Sequence, residues 1–333
     1  ATKQGAAMIT ARNYAAQAEK GLIEYSNRLD DEFHLDKLFI RKVSEGIGQS
    51  VHFALPDGGS IFDDDLKGIS GMQARLPFPE ITIEYYTKPE NQKKTTEYAS
   101  EIVTKRVIYA CELSCRDLKK NPFSKKMNLE KLYKNDDEIL IFIYSAFYLK
   151  SGWVPCLSYW IMPASWDDTS ETEDFPVDLQ RIDTTDKSKF TGTLGMLCPG
   201  LCDELASQVG DDEAFKYLAY DIAGEVRAVL ELIEALSCSN IKHEPIEKID
   251  QKKNEKRIKA GKLPIYETRV LTIDPIRSAS KSFHQDGNSD RNSPRQHLRR
   301  GHIRRLPDKN VWVNSCLVGS AENGRLDKSY RIY

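Results

Sequence analysis

The stretch from Asp211 to Ser237 constrains this chain most. Phe215, Leu218, Ile222, Val226, Val229, Leu230 and Ile233 recur at helical spacing, and residues three and four apart share one face of a helix. Asp211, Asp212 and Glu213 put negative charge in the first turn, where the helix dipole favours it. The apolar face is broad, so this helix is expected to be a central core element. A chain of 333 residues can surround it with one large unit or with two domains.

Strand signals lie mostly upstream. Val51–Leu55 alternates briefly before a turn at Pro56-Asp57-Gly58-Gly59. Ile81–Tyr86 follows a stiff Leu76-Pro77-Phe78-Pro79 lead-in and is rich in β-branched and aromatic residues. In a strand, Glu84 falls on the face opposite Ile81 and Ile83. Ile102–Leu113, Glu138–Tyr148 and Val154–Ile161 read as a further antiparallel meander. Gly5–Leu29 carries a helical stripe, and Thr191–Leu197 is a small apolar stretch broken by Pro199-Gly200. The expected fold is α+β: antiparallel sheet or sheets packed with one long central helix, and a small C-terminal β-rich region. The expected organisation is an N-terminal α+β domain at 1–165, an acidic loop or insertion at 166–190, and a helix plus basic β region at 191–333.

Composition narrows the class. Hydrophobic residues make up 40% and charged residues 29% of the chain, values of a soluble globular protein. The apolar run around Ile139–Leu149 is too short to span a bilayer. The N-terminal segment lacks the apolar core of a secretory signal. No membrane association and a cytoplasmic location are the expectations. The seven cysteines are odd in number and suggest no disulfide framework. Cys111/Cys115 and Cys198/Cys202 have C-x3-C spacing, and the first pair is spaced as on one helical face. Ordinary buried thiols are expected rather than a zinc site, which favours C-x2-C. Asp63-Asp64-Asp65 lacks a calcium-loop pattern and reads as a solvated turn. No metal and no cofactor are expected.

Near the C-terminus the charge is one-sided. Arg291 to Arg305 holds six arginines, two histidines and no acidic residue. Guanidinium groups crowded without carboxylates point to an anion from outside, and arginine can grip phosphate in bidentate fashion. His297–Leu306 is expected to be extended. His297, Arg299 and Gly301 would then face one way, and Leu298, Arg300, His302 and Arg304 the other. A bulge at Gly301 would shift that register. Val311-Trp312-Val313 forms the next strand, with Trp312 expected to pack, or alternatively to stack on a base. A last strand is expected at Tyr330–Tyr333. A second basic cluster, Lys252, Lys253, Lys256, Arg257, Lys259 and Lys262, surrounds a short helix that Gly261 and Pro264 terminate. The candidate partner-binding residues are thus Arg295, His297, Arg299, Arg300, His302, Arg304, Arg305, Trp312, Lys252, Lys253, Lys256, Arg257 and Lys259.

The block NEKRIKAGKLP (254–264), the strand ending Leu271-Thr272-Ile273, and then HLRRGHIRRL…VWVNSCLVGS…G…YRI resemble the C-terminal half of a family of phage and mobile-element proteins. Its described member is an anti-CRISPR that blocks production of the type V-A effector nuclease. The resemblance covers about residues 240–333, and LPFPEITIEYY (76–86) matches an N-terminal motif more loosely. It implies recognition of a nascent polypeptide during translation, followed by loss of the encoding mRNA, in the host cytoplasm. It carries over no catalytic residue. The leading expectation is a non-enzymatic inhibitor of host defence that binds RNA or a ribosome-associated nascent chain, with a host nuclease as a possible recruit. Two alternatives stand beside it. One is a metal-independent ribonuclease using His297 and His302 as base and acid. The other is a protein-binding module whose arginines meet an acidic partner.

Overall fold

The computed structural model describes residues 12–61, 75–87, 104–120, 135–149, 152–164, 193–197, 199–273, 295–299, 302–313, 316–318 and 320–325. Helices α1 (Tyr14–Arg28) and α2 (His34–Gln49) pack on each other across a 3-10 turn at Asp31–Phe33. Strands β1 (Val51–Ala54), β2 (Glu80–Tyr86) and β3 (Lys105–Ser114) lead to a single-turn helix α3 (Cys115–Leu118). Strands β4 (Ile139–Leu149), β5 (Gly152–Pro163) and β6 (Thr193–Met196) precede helices α4 (Pro199–Val209) and α5 (Asp211–Ser237). Then come β7 (Ile241–Pro245), α6 (Gln251–Lys259) and β8 (Thr268–Ile273). The short strands β9 (Arg295–Arg299), β10 (His302–Arg305), β11 (Asn310–Val313), β12 (Cys316–Val318) and β13 (Ser320–Arg325) follow.

Strands β1 to β8 form one sheet in the order β6-β5-β4-β3-β2-β1-β8-β7. Neighbours from β2 to β6 are antiparallel, as are β7 and β8. Strand β1 pairs in parallel with both β2 and β8. The sheet is therefore mixed, which corrects the expectation of purely antiparallel sheets. Alternation within a four-residue strand records which side is buried but not the direction of its partners. The sheet draws strands from both sides of residues 165–192, a segment outside the described residues.

Helices cover both faces of the sheet, so the mass is shared rather than gathered on one central helix. On one face Tyr109 of β3 presses so closely on α2 that a Cβ at Gly46 would sit 2.4 Å from its ring. Phe39 of α2 meets the rings of Phe142, Tyr144 and Tyr159 on the same side. On the other face Ser158 of β5 donates to the Leu218 carbonyl of α5 at 2.8 Å, and Arg106 of β3 reaches Glu225. With both faces covered, residues of either parity are buried: Ile81, Thr82, Ile83 and Glu84 are all at most 2% exposed.

That double burial gives Glu84 a structural task. Its carboxylate accepts the backbone N–H groups of Arg12 at 3.0 Å and Ala15 at 3.1 Å. It thereby satisfies donors at the start of α1 that Asn13, in left-handed conformation, does not cap. Burial raises its pKa, and those backbone donors pull in the opposite direction.

Several local expectations change. Cys111 lies in β3 and Cys115 opens α3, so the two do not share one helix. Pro199 begins α4 instead of ending order, since proline suits the first helical turn. The strand ending at Ile273 starts at Thr268. Tyr330–Tyr333 and Asp63–Asp65 lie outside the described residues.

Candidate nucleic-acid interface

The long helix α5 organises this site through its carboxylates. Glu225, Glu231 and Glu234 are 1%, 0% and 6% exposed. Each meets a guanidinium: Arg106 for Glu225, Arg227 for Glu231 and Arg305 for Glu234. Glu231 also accepts from Ser60 Oγ. Carboxylates this deep are tolerated only when paired and hydrogen-bonded. Glu225 and Arg227 both belong to this arrangement. Burial raises the Glu234 pKa, with Arg305 opposing and Glu231 reinforcing.

Strands β10 and β11 make an antiparallel hairpin with Ile303 opposite Trp312 and Arg305 opposite Asn310. The hairpin is fastened to the end of α5. Asn240 Nδ2 donates to the Trp312 carbonyl at 2.9 Å, and the Trp312 N–H donates to Asn240 Oδ1 at 2.8 Å. Ser239 N–H donates to the Asn310 carbonyl at 2.9 Å. Ile303 and Trp312 pack against a small cluster of Ala235, Cys238 and Ile241. Trp312 is therefore a packing residue. Burial pushes the Cys238 thiol up to about 11.

Alternation along β10 divides its two adjacent arginines. Arg305 shares the docked side with Ile303, and its charge is met by Glu234. Arg304, of opposite parity, is exposed. The expected single strand from His297 to Leu306 is corrected: its described residues belong to two strands of different sheets, and residues 300 and 301 lie outside the described residues. β9 joins a small sheet with β12 and β13, while β10 pairs with β11. His297 stands opposite Val318 and His302 opposite Val313, in different sheets. Arg295 and Arg299 stand at the two ends of β9.

The lysine cluster is displayed separately. Helix α6 has no buried residue. Asp250 caps it by accepting the Lys253 N–H at 3.2 Å. Asn254 exchanges hydrogen bonds with Ile265 at 3.0 and 2.9 Å. Arg257 is half-buried and donates through Nε to the Leu263 carbonyl at 2.6 Å, so it braces the turn after the helix. Lys252, Lys253, Lys256 and Lys259 are exposed. Only Lys253 among these four approaches a carboxylate within the described residues, Asp250 at 3.9 Å.

A cleft of about 400 Å³ lies between the end of α1 and the start of β5, walled by Tyr25, Phe33 and Trp153. None of the basic candidates lines it. Among the described residues no group of His, Cys, Asp and Glu could hold a metal ion, and Cys111, Cys115, Cys156, Cys202 and Cys238 are buried and form no disulfide. No helix among them is long and apolar enough to cross a membrane. Sequence reading missed Glu231, Glu234 and Asn240. Spacing gave no signal for Glu231 and Glu234: with Arg227 they share the one sector of the helix that the apolar residues of LELIEALS leave open, which reads as a solvated face. Comparison with protein-family models, with characterised proteins and with solved structures finds no match.

Proposed function

We propose that this chain is a non-enzymatic inhibitor of host defence, phage-encoded and anti-CRISPR-like, that lowers expression of its target in the host cytoplasm. It does so by binding RNA or a ribosome-associated nascent chain through its basic C-terminal region. The observation that carries this reading is the division within β10. Arg305 is engaged by Glu234, whereas its neighbour Arg304 is displayed outward from a hairpin held by paired hydrogen bonds between the Asn240 side-chain amide and the Trp312 backbone. A fixed, exposed guanidinium beside a partnered one suits an external anion better than a scaffold requirement does. The family resemblance over residues 240–333 supports the same reading, since it runs from Asn240 through the hairpin. Loss of the target mRNA would follow from a recruited host nuclease. Placement of His297 and His302 in different sheets gives the ribonuclease reading no support.

Affinity capture from host lysate, with and without ribonuclease treatment, tests this. The expected result is ribosomal or messenger RNA in the captured fraction, reduced in the Arg299→Ala/Arg304→Ala variant. A single protein partner retained equally after ribonuclease treatment would replace this reading with that of a protein-binding module.

A further inference from the structure

We infer that α6 supplies a second phosphate contact for the same RNA strand that meets Arg304, the two being joined along the exposed edge of the eight-stranded sheet. This rests on the RNA reading given above. Lys252, Lys256 and Lys259 are spaced i, i+4 and i+7, so they fall within about 60° of one another around the helix. At about 1.5 Å of rise per residue they form a row roughly 10 Å long. Among the described residues none of the three meets a carboxylate, and Glu255, four residues before Lys259, forms no ion pair with it. The helix contributes no buried side chain to the core. A nine-residue helix is marginal alone. This one is held by the Asp250 cap, the Asn254–Ile265 exchange and the Arg257 brace, all on positions other than the lysine row. Fastening thus keeps three unpaired ammonium groups in a line.

Topology brings this row into relation with the hairpin. β7 is the last strand of the sheet. The hairpin is bonded to Ser239 and Asn240, just before β7 begins. At the other end of β7, Ile246 N–H bonds to the Thr268 carbonyl, and α6 starts a few residues later. The two basic elements therefore bracket the ribbon β7–β8 from opposite ends. Five residues of strand separate them, on the order of 15 Å. Single-strand-binding surfaces cover about 4–16 nucleotides, so one strand can reach both ends.

The test measures binding of oligouridylates of about 4 and about 16 nucleotides across a salt series, with circular dichroism confirming that each variant is folded. For the longer RNA, Lys252→Gln/Lys256→Gln/Lys259→Gln should flatten the slope of log affinity against log salt by about 2, and Arg304→Gln by about 0.7. For the shorter RNA, which reaches one end at a time, either set should cost no more than about twofold, because the other end still binds. An unchanged slope in the lysine variant overturns the inference, and if Arg304→Gln still weakens binding the hairpin reading survives alone. A flattened slope in the lysine variant with no effect of Arg304→Gln overturns both the shared strand and the hairpin reading. Equal losses for both RNA lengths also overturn the shared strand, and absence of RNA binding by the unmodified chain overturns this inference and the RNA reading together.

Discussion

Helices α5 and α6 carry charge in opposite ways. On α5 the carboxylates of Glu225, Glu231 and Glu234 are buried and each meets a guanidinium from β3, from the helix itself or from the C-terminal hairpin. On α6 the lysines are exposed and three of them lack a carboxylate within the described residues. The first arrangement is internal architecture, because removing the guanidinium strands a carboxylate in the core. The second has no structural consequence that burial or pairing would explain. Paired charge builds this protein, and unpaired charge is its candidate for contact with another molecule.

The sharpest way to break the comparison is at β3. Arg106→Ala deprives buried Glu225 of its guanidinium. A loss of about 3–5 kcal/mol in urea unfolding is expected, and a loss under about 1 kcal/mol would mean that the pair is not structural. His52 provides the next largest effect. It is 2% exposed, burial lowers its pKa to about 4, and its Nε2 lies 2.7 Å from the Ile47 carbonyl. The fold favours the neutral ring, so its contribution is complete above about pH 6.5 and is lost as pH falls toward 4. That window is worth at most about 3 kcal/mol, and His52→Gln should flatten stability across it. Glu84 acts in the opposite sense: its raised pKa makes the fold gain stability as pH drops toward the ordinary carboxyl range.

Two adjacent residues refine the contrast. Arg305→Gln should cost about 2 kcal/mol and loosen the hairpin, seen as faster amide exchange at Trp312, because Glu234 loses a charge-assisted bond. Arg304→Gln, one residue away, should change stability by less than about 0.5 kcal/mol. Equal effects from the two would erase the distinction between paired and displayed guanidinium.

What the sequence revealed follows from where its signals are local. The helix at Asp211–Ser237 and the strand at Ile81–Tyr86 rest on repeated spacing, which the chain shows directly. Helix α2 went unmarked although Ile40, Val43 and Ile47 are spaced for one buried face. Gly46 and Gly48 dilute its helical propensity, and Gly46 is needed there because Tyr109 crosses it. The parallel pairing of β1 depends on partners more than two hundred residues apart, His52 with Thr268, and no local pattern encodes it. In the candidate site, the density of arginine was legible but its division was not. Whether Arg305 or Arg304 meets Glu234 depends on the register of β10 against β11 and on docking by Asn240.

The most direct measurement is equilibrium binding of the purified chain to single-stranded RNA as salt is raised. If Arg304 and the row Lys252, Lys256 and Lys259 contact phosphates, four released counterions give a slope of about −3, or about a fiftyfold loss between roughly 50 and 200 mM salt. Affinity that does not change with salt, or no binding at the lower concentration, would contradict the account.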